Sequence, residues 1–291
     1  MKKKLLVAAI MATMSLSTAA AFASAPTFSG DANIEYRNSE DSNGLDYLTN
    51  RIRLSLDAQI DDTFYIHGRT TMVNDLRGNH SDLISDNGFD QAYLGAKLGN
   101  ADLRIGRQSM AMGKGLLMDD DKFSGAYLNT KLEGVKVAGF YGQDPSKADT
   151  SFVDLGTSAG AVNLGAGFLR EADTSFFAVN ADTKIASNVT LSAEYVKNTT
   201  DKLDGYLAEI KVGDAVKKGD FAYAVSYRNV ENGALPGYPT NTNFNDSKGV
   251  MLKGIYKVSD KATLTAYQDM VEKKSDGASK DRTNVELSVN F

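Results

Sequence analysis

Residues 90–99, DQAYLGAKLG, reach a tight turn at Asn100-Ala101, continue as DLRIGRQ (102–108) and run on through SMAMGKGLLMDDDKFSG (109–125). The first two pieces read as antiparallel strands joined by a very short turn, and the third as a long acidic loop returning to the next strand. In the second piece Leu103 and Ile105 alternate with Asp102 and Arg104. Side chains change sides at every residue of a strand, so this pattern gives one apolar and one polar face.

The same period of two recurs along the chain. The first strand is expected at 28–36, with Phe28, Ala32, Ile34 and Tyr36 on one face and Asp31, Asn33, Glu35 and Arg37 on the other. The second (48–60) alternates Ile52, Leu54, Leu56 and Ala58 with Arg51, Arg53, Ser55, Asp57 and Gln59, and the third (64–73) sets Tyr65, His67 and Arg69 opposite Phe64, Ile66 and Met72. Further strands are expected at 126–132, 135–141, 161–169, 176–183, 189–196, 206–212, 221–228, 250–258, 262–269 and 282–291. The signal is weakest from Gln143 to Gly160, which reads as a loop, a short strand at 152–155 and a turn. The total is sixteen; merging the weak strand with its neighbour makes fourteen.

Two features of this pattern point to a membrane. The short connections, near 61, 100, 133, 187 and 260, fall on one rim and the long loops on the other, as in transmembrane barrels. On the apolar faces, Phe28, Phe64, Phe221, Tyr256 and Phe291 fall at the short-turn rim, and Tyr36, Tyr141, Phe177, Tyr195, Tyr206 and Tyr227 at the long-loop rim. Two such bands correspond to aromatic girdles at the two interfaces, here without any tryptophan. The expected fold is therefore all-β, a transmembrane antiparallel β-barrel. A soluble sandwich would need two apolar faces meeting in a core, whereas many residues of the other face are charged.

Met1-Lys2-Lys3-Lys4, the uncharged run Leu5–Leu16 and Ala21-Phe22-Ala23 have the layout of a secretory signal peptide cleaved after Ala23, leaving residues 24–291 as the barrel. Without its three lysines the mature chain has 29 basic residues against 37 acidic ones, a net charge of −8, which argues against nucleic acid as a partner. There is no cysteine, so stability must come from packing or from a closed hydrogen-bonded sheet. The last segment, TNVELSVNF (283–291), alternates to its end and stops on Phe291. In a barrel such a strand pairs with the first one instead of presenting an open edge.

Gln91-Ala92-Tyr93-Leu94-Gly95, Gly106-Arg107-Gln108 and the terminal aromatic together resemble the general diffusion porins of bacterial outer membranes. The resemblance implies a water-filled channel for passive diffusion of small hydrophilic solutes and ions, set in outer-membrane lipid. It also implies a homotrimer, and a third loop, here about 109–124, folded into the barrel to narrow it. No cofactor and no metal site are expected: His67 and His80 are the only histidines.

In a channel the sign and position of charge at the narrowest point carry the function. The candidates are Asp119, Asp120 and Asp121 on the loop, facing wall arginines of lumen parity: Arg37, Arg51, Arg53, Arg69 and Arg104. Acids opposite a line of arginines resemble the porin eyelet, with a field across the pore. The aspartates also read as a solvated acidic loop on the outer surface. Arg107 shares parity with Leu103 and Ile105 and is expected against a neighbouring subunit, paired with Asp82 or Asp86, or snorkelling to the rim.

Other readings stay open. A substrate-specific channel for sugars or small organic acids shares these features; Tyr65, Phe140 and Tyr267 are the lumen aromatics that sugars would need. A closed structural or adhesive barrel would have a plugged lumen. A barrel enzyme would need a nucleophile with its base near the outer rim, which two histidines make the least favoured reading.

Overall fold

The computed structural model describes residues 24–40, 46–77, 88–238 and 244–291; the expected signal peptide, 1–23, lies outside them. Sixteen strands follow one another: β1 (Thr27–Ser39), β2 (Asp46–Gln59), β3 (Phe64–Asp75), β4 (Gly88–Leu98), β5 (Ala101–Met112), β6 (Met118–Leu132), β7 (Val135–Gln143) and β8 (Asp149–Ala159). After them come β9 (Val162–Glu171), β10 (Thr174–Ala186), β11 (Val189–Asn198), β12 (Leu203–Val212), β13 (Phe221–Val230), β14 (Ser247–Lys257), β15 (Ala262–Glu272) and β16 (Arg282–Asn290). Each pairs antiparallel with its neighbours in sequence, and β1 pairs with β16 from Asp31↔Asn290 to Ser39↔Arg282, closing the barrel. No helix among the described residues is long and apolar enough to cross a membrane. A closed barrel crosses with strands, because closure leaves no unpaired edge in the hydrocarbon.

The closing seam shows how the terminal aromatic works. Gly30 and Phe291 exchange both backbone hydrogen bonds, each 2.9 Å. The Phe291 ring lies over Gly30, where a Cβ would stand 2.7 Å from the ring and 2.5 Å from the Arg53 carbonyl oxygen. Only glycine leaves room for the ring and the neighbouring backbone together.

The two faces of the sheet separate as the alternation requires. Phe28, Ile34, Leu94, Ile105, Leu128, Phe168, Val225, Leu252 and Leu287 stand exposed on the outer wall. The aromatic bands are in place on the same wall: Phe221 and Tyr256 meet at 6.4 Å at the short-turn rim, Tyr206 and Tyr227 at 6.2 Å at the other.

Two stretches differ from the sequence-based expectation. The segment read as a loop, a short strand and a turn between 143 and 160 is one regular strand, β8, preceded only by residues 144–148. Between β5 and β6 the sixteen-strand frame keeps its place, but the strands run on to Met112 and resume at Met118, leaving a turn of residues 113–117 where a loop of 109–124 is expected. Both differences have one cause. Toward the long-loop end of this side of the barrel the lumen face is apolar, since Phe140, Phe152, Leu169, Phe176 and Val196 are buried inside together with Met110, Met112 and Phe123. Where both faces of a strand are apolar the period of two disappears from the sequence.

Candidate pore and its constriction

The hairpin formed by β5 and β6 bends into the barrel, and its tip reaches the opposite wall. There Glu194 of β11, 2 % exposed, accepts the backbone N–H groups of Lys114 and Leu116, both at 2.8 Å, and of Leu117 at 3.3 Å. One carboxylate thus accepts from three backbone donors of a tight turn. Gly113 has φ +72°, and a Cβ there would lie 2.1 Å from Glu194 Oε1, so the turn needs glycine for its conformation and for its approach to the acid. Lys114 adds a salt bridge from its ammonium to Asp182 of β10.

Apolar packing holds the same tip from the other side. Leu116, Leu117 and Met118 are fully buried against the lumen faces of β7–β11 and against Ala234, Leu235 and Tyr238 of the β13–β14 connection. Phe123 meets Tyr238 edge-on at 5.1 Å and Phe140 at 5.4 Å, and Phe140 stacks on Phe152 at 5.6 Å. A buried Leu or Met side chain contributes about 1.5 to 3 kcal/mol and a hydrogen bond to a charged group about as much, so packing and the carboxylate hold the tip comparably, the hydrogen bonds also fixing its direction. Part of the lumen is therefore a dry core, and Phe140, an expected sugar-facing aromatic, belongs to that core at 4 % exposure.

The remaining wall, from β13 through β16 and β1 to β5, carries charge. Arg53 Nε donates to both oxygens of Asp31 at 3.0 and 2.8 Å, and Arg51 reaches the same carboxylate at 3.8 Å. Arg37 pairs with Glu35 at 2.5 Å and Arg69 with Asp90 at 2.7 Å. Arg104 pairs with Asp102 at 2.6 Å, under the rings of Tyr93 and Tyr127 at 5.5 and 5.7 Å, while the Tyr65 hydroxyl donates to Asp102 at 2.6 Å. Farther round, Asp269, 1 % exposed, accepts from Arg228 and from Arg282, both at 2.9 Å, and Arg282 lies over the Tyr267 ring at 4.9 Å.

Every arginine in the expected pore wall lies on the lumen face, but they are not equivalent there. Arg37, Arg51 and Arg104 keep 38 %, 33 % and 31 % of their side-chain surface exposed, whereas Arg69 keeps 13 %. A passing solute meets the first three far more than the fourth. Their partners are acids of the wall itself, on the same or the adjacent strand. Asp119 is exposed beside the turn at Gly115, and the side chains of Asp120 and Asp121 lie outside the described residues. The geometry thus shows a wall of paired charges; an acidic loop facing bare arginines is not what the described side chains form.

Arg107 is on the outer wall. Its register neighbours are Ala92 of β4 and Ser124 of β6, it is exposed, and Leu103 and Ile105 share its face. Asp82 and Asp86, its expected partners, lie outside the described residues.

Sequence reasoning missed Glu194, Asp31, Asp90, Asp102 and the Arg228–Asp269–Arg282 group. Strand parity was sufficient to place Asp31, Asp102, Arg228, Asp269 and Arg282 on the lumen face. Nothing local marks Glu194 as a latch, because its partners lie 77 to 80 residues away.

The arrangement is that of a channel: charged groups line a passage beside a fixed internal strap. The sequence pattern for Gram-negative porins matches residues 7–291. Among solved structures, a triple-substitution variant of the Rh. blastica porin aligns with a TM-score of 0.67 at 12 % identity, covering 91 % of this chain and 100 % of that chain. A second triple mutant, of the Rhodopseudomonas blastica porin, gives 0.65 at 13 % identity with the same coverage. Likeness at such identity is likeness of fold. No curated protein matches the chain.

Proposed function

This chain belongs to the Gram-negative porin family, whose members form channels for passive diffusion in the outer membrane, and on that premise we propose how this one filters. Small hydrophilic solutes and ions pass between the strapped hairpin tip of residues 113–117 and the charged face of β16 and β1–β5. Arg37, Arg51 and Arg104 are the basic groups that solutes meet, each balanced by a wall carboxylate. The observation that carries this reading is the coexistence, in one lumen, of a tip locked by Glu194 and arginines still about one third exposed. Paired charges of both signs along the wall act on dipolar solutes, and low-dielectric surroundings focus their field. The test is passage itself, read as single-channel current of the refolded chain in a planar bilayer.

Residues 1–23 are, on this reading, the export signal, removed after Ala23. Asp119, Asp120 and Asp121 add negative charge beside the tip. A narrower, substrate-specific channel is favoured by one observation: Tyr65, Tyr93 and Tyr127 gather around Arg104, with His67 stacked on Tyr93 at 5.0 Å. Aromatic faces beside a guanidinium suit ring-shaped polar solutes.

A homotrimer is part of the proposal, with Arg107 at the subunit contact. An arginine turned to lipid at mid-depth costs about 2 to 4 kcal/mol, a cost that a neighbouring subunit's acid removes. Arg107→Ala is expected to convert the trimer band on a native gel to monomer or to lower its melting temperature in detergent. An unchanged trimer in both assays would remove Arg107 from the interface.

A further inference from the structure

Beneath the hairpin tip, toward the short-turn rim, is a polar cavity of about 340 Å³, set apart from the arginine-lined constriction described above. One hydrogen-bonded row of the sheet runs along it: Lys131 of β6 is opposite Lys136 of β7, Lys136 opposite Gly156 of β8, Gly156 opposite Gly165 of β9, and Gly165 opposite Asn180 of β10. The next residue in that row is Glu194, the latch of the strap. The recess and the strap are therefore built on the same rung of the barrel.

Three features make the recess more than a gap. Two glycines occupy the middle of the row, and a Cβ at Gly165 would stand 2.5 Å from the Asn180 amide nitrogen, so the floor is open because side chains are absent there. Two lysines face each other directly across a strand pair, an arrangement that destabilises a sheet unless something shares their charge. Neither ammonium has an ion pair among the described residues, although both line the cavity.

The far side supplies fixed polar groups. Asp182 is held by the Lys114 ammonium and by the Asn163 amide at 2.8 Å, and Asn163 in turn accepts from Ser158 at 2.8 Å. Asp182 is thus occupied, and Lys114 roofs the recess from the tip. Asp154 lies one step up on β8, opposite Gly167, on which Met112 of the strap presses. With three lysines against Asp154 and Asp182, the lining carries a net charge of +1.

We propose that this recess is a binding subsite for the carboxylate of a small monoanionic organic acid, held between Lys131 and Lys136, with the Asn180 amide farther along the recess over Gly165 for another polar group of the solute. A monoanion cancels the net charge, and Asp154 disfavours a dianion while accepting from a hydroxyl or ammonium elsewhere on the solute. The assignment rests on the channel reading for its physiological meaning, since the recess lies below the strap on the way to the short-turn side. It makes the two lysines specificity-determining residues of that channel.

Calorimetric titration of the detergent-solubilised barrel with sodium lactate at pH 7 reads the subsite whether or not the channel conducts. Saturable binding is expected, weakened about thirtyfold when Lys131→Gln and Lys136→Gln are combined, since each ammonium removed forfeits of the order of 1 kcal/mol of attraction at about 4 Å. Lys217→Gln with Lys218→Gln, which removes the same charge from a turn outside the lumen, is expected to leave it unchanged. Equal affinity in the lumen double variant and the wild type, or no saturable binding to the wild-type barrel, would overturn the subsite, as would tighter binding of inorganic phosphate than of lactate. A silent bilayer with intact lactate binding would instead reject the channel reading and leave the subsite standing.

Discussion

Glu194→Ala is expected to raise single-channel conductance about twofold and to replace steady current by flicker, because the three tip N–H groups lose the carboxylate that anchors them, at a cost of about 1 to 3 kcal/mol for each that stays buried. The carboxylate holds Lys114, Leu116 and Leu117 by their backbone, so no side-chain change at the tip can restore what its loss removes. Leu116, Leu117 and Met118 remain buried and keep the tip near the wall, which is why the expectation is a loosened strap and not a barrel without one. Glu194→Gln retains one carbonyl oxygen and is expected to fall between the wild type and the alanine variant. Glu209→Ala on β12 removes the same charge one strand away, where no tip N–H reaches, and is expected to leave conductance steady. Conductance unchanged in Glu194→Ala would mean that apolar packing alone positions the hairpin.

The second large effect concerns sign. Combining Arg37→Gln, Arg51→Gln and Arg104→Gln leaves Glu35 and Asp102 without their arginine partners and Asp31 with Arg53 as its one arginine. An uncompensated carboxylate about 4 Å from a passing ion is worth about 1 kcal/mol at the dielectric constant of water, so the K⁺ to Cl⁻ permeability ratio is expected to rise about tenfold or more. The converse change, Asp31→Asn, removes the negative charge that Arg51 and Arg53 share and is expected to move the reversal potential toward chloride. Both shifts should collapse in 1 M salt, where the Debye length falls to about 3 Å. If the triple variant and Asp31→Asn moved the potential in the same direction, the paired-wall account of selectivity would be wrong.

These expectations depend on residues that differ in how plainly the chain announces them. On β1–β3 and β14–β16 polar side chains alternate with apolar ones, and counting alone puts Arg37, Arg51, Arg53 and Arg69 on the face opposite Ile34, Ile52 and Leu54. The terminal Phe291 was equally legible, since an alternating strand that ends on an aromatic has its partner in the first strand. Legibility fails where the lumen is dry. Met110, Met112, Met118 and Phe152 point inward yet are apolar, so the hairpin extension and β8 carry no period of two. Glu194 fails for another reason: its meaning is its distance to a turn far away in the chain, which only the closed barrel creates. The acids beside the arginines are intermediate. Asp31 and Asp102 have the right parity, but that they quench their neighbours, instead of leaving the arginines bare before residues 119–121, follows from cross-strand register and side-chain reach.

The central claim is that an open path remains beside the strapped tip. Single-channel current of refolded residues 24–291 in a planar bilayer tests it most directly, with folding checked by heat-modifiable mobility on a gel. The account predicts discrete, long-lived steps of conductance, with a reversal potential in a KCl gradient that the arginine substitutions above displace. Folded protein that inserts and stays silent would contradict it, and would make the dry core and the hairpin a plug in a closed barrel.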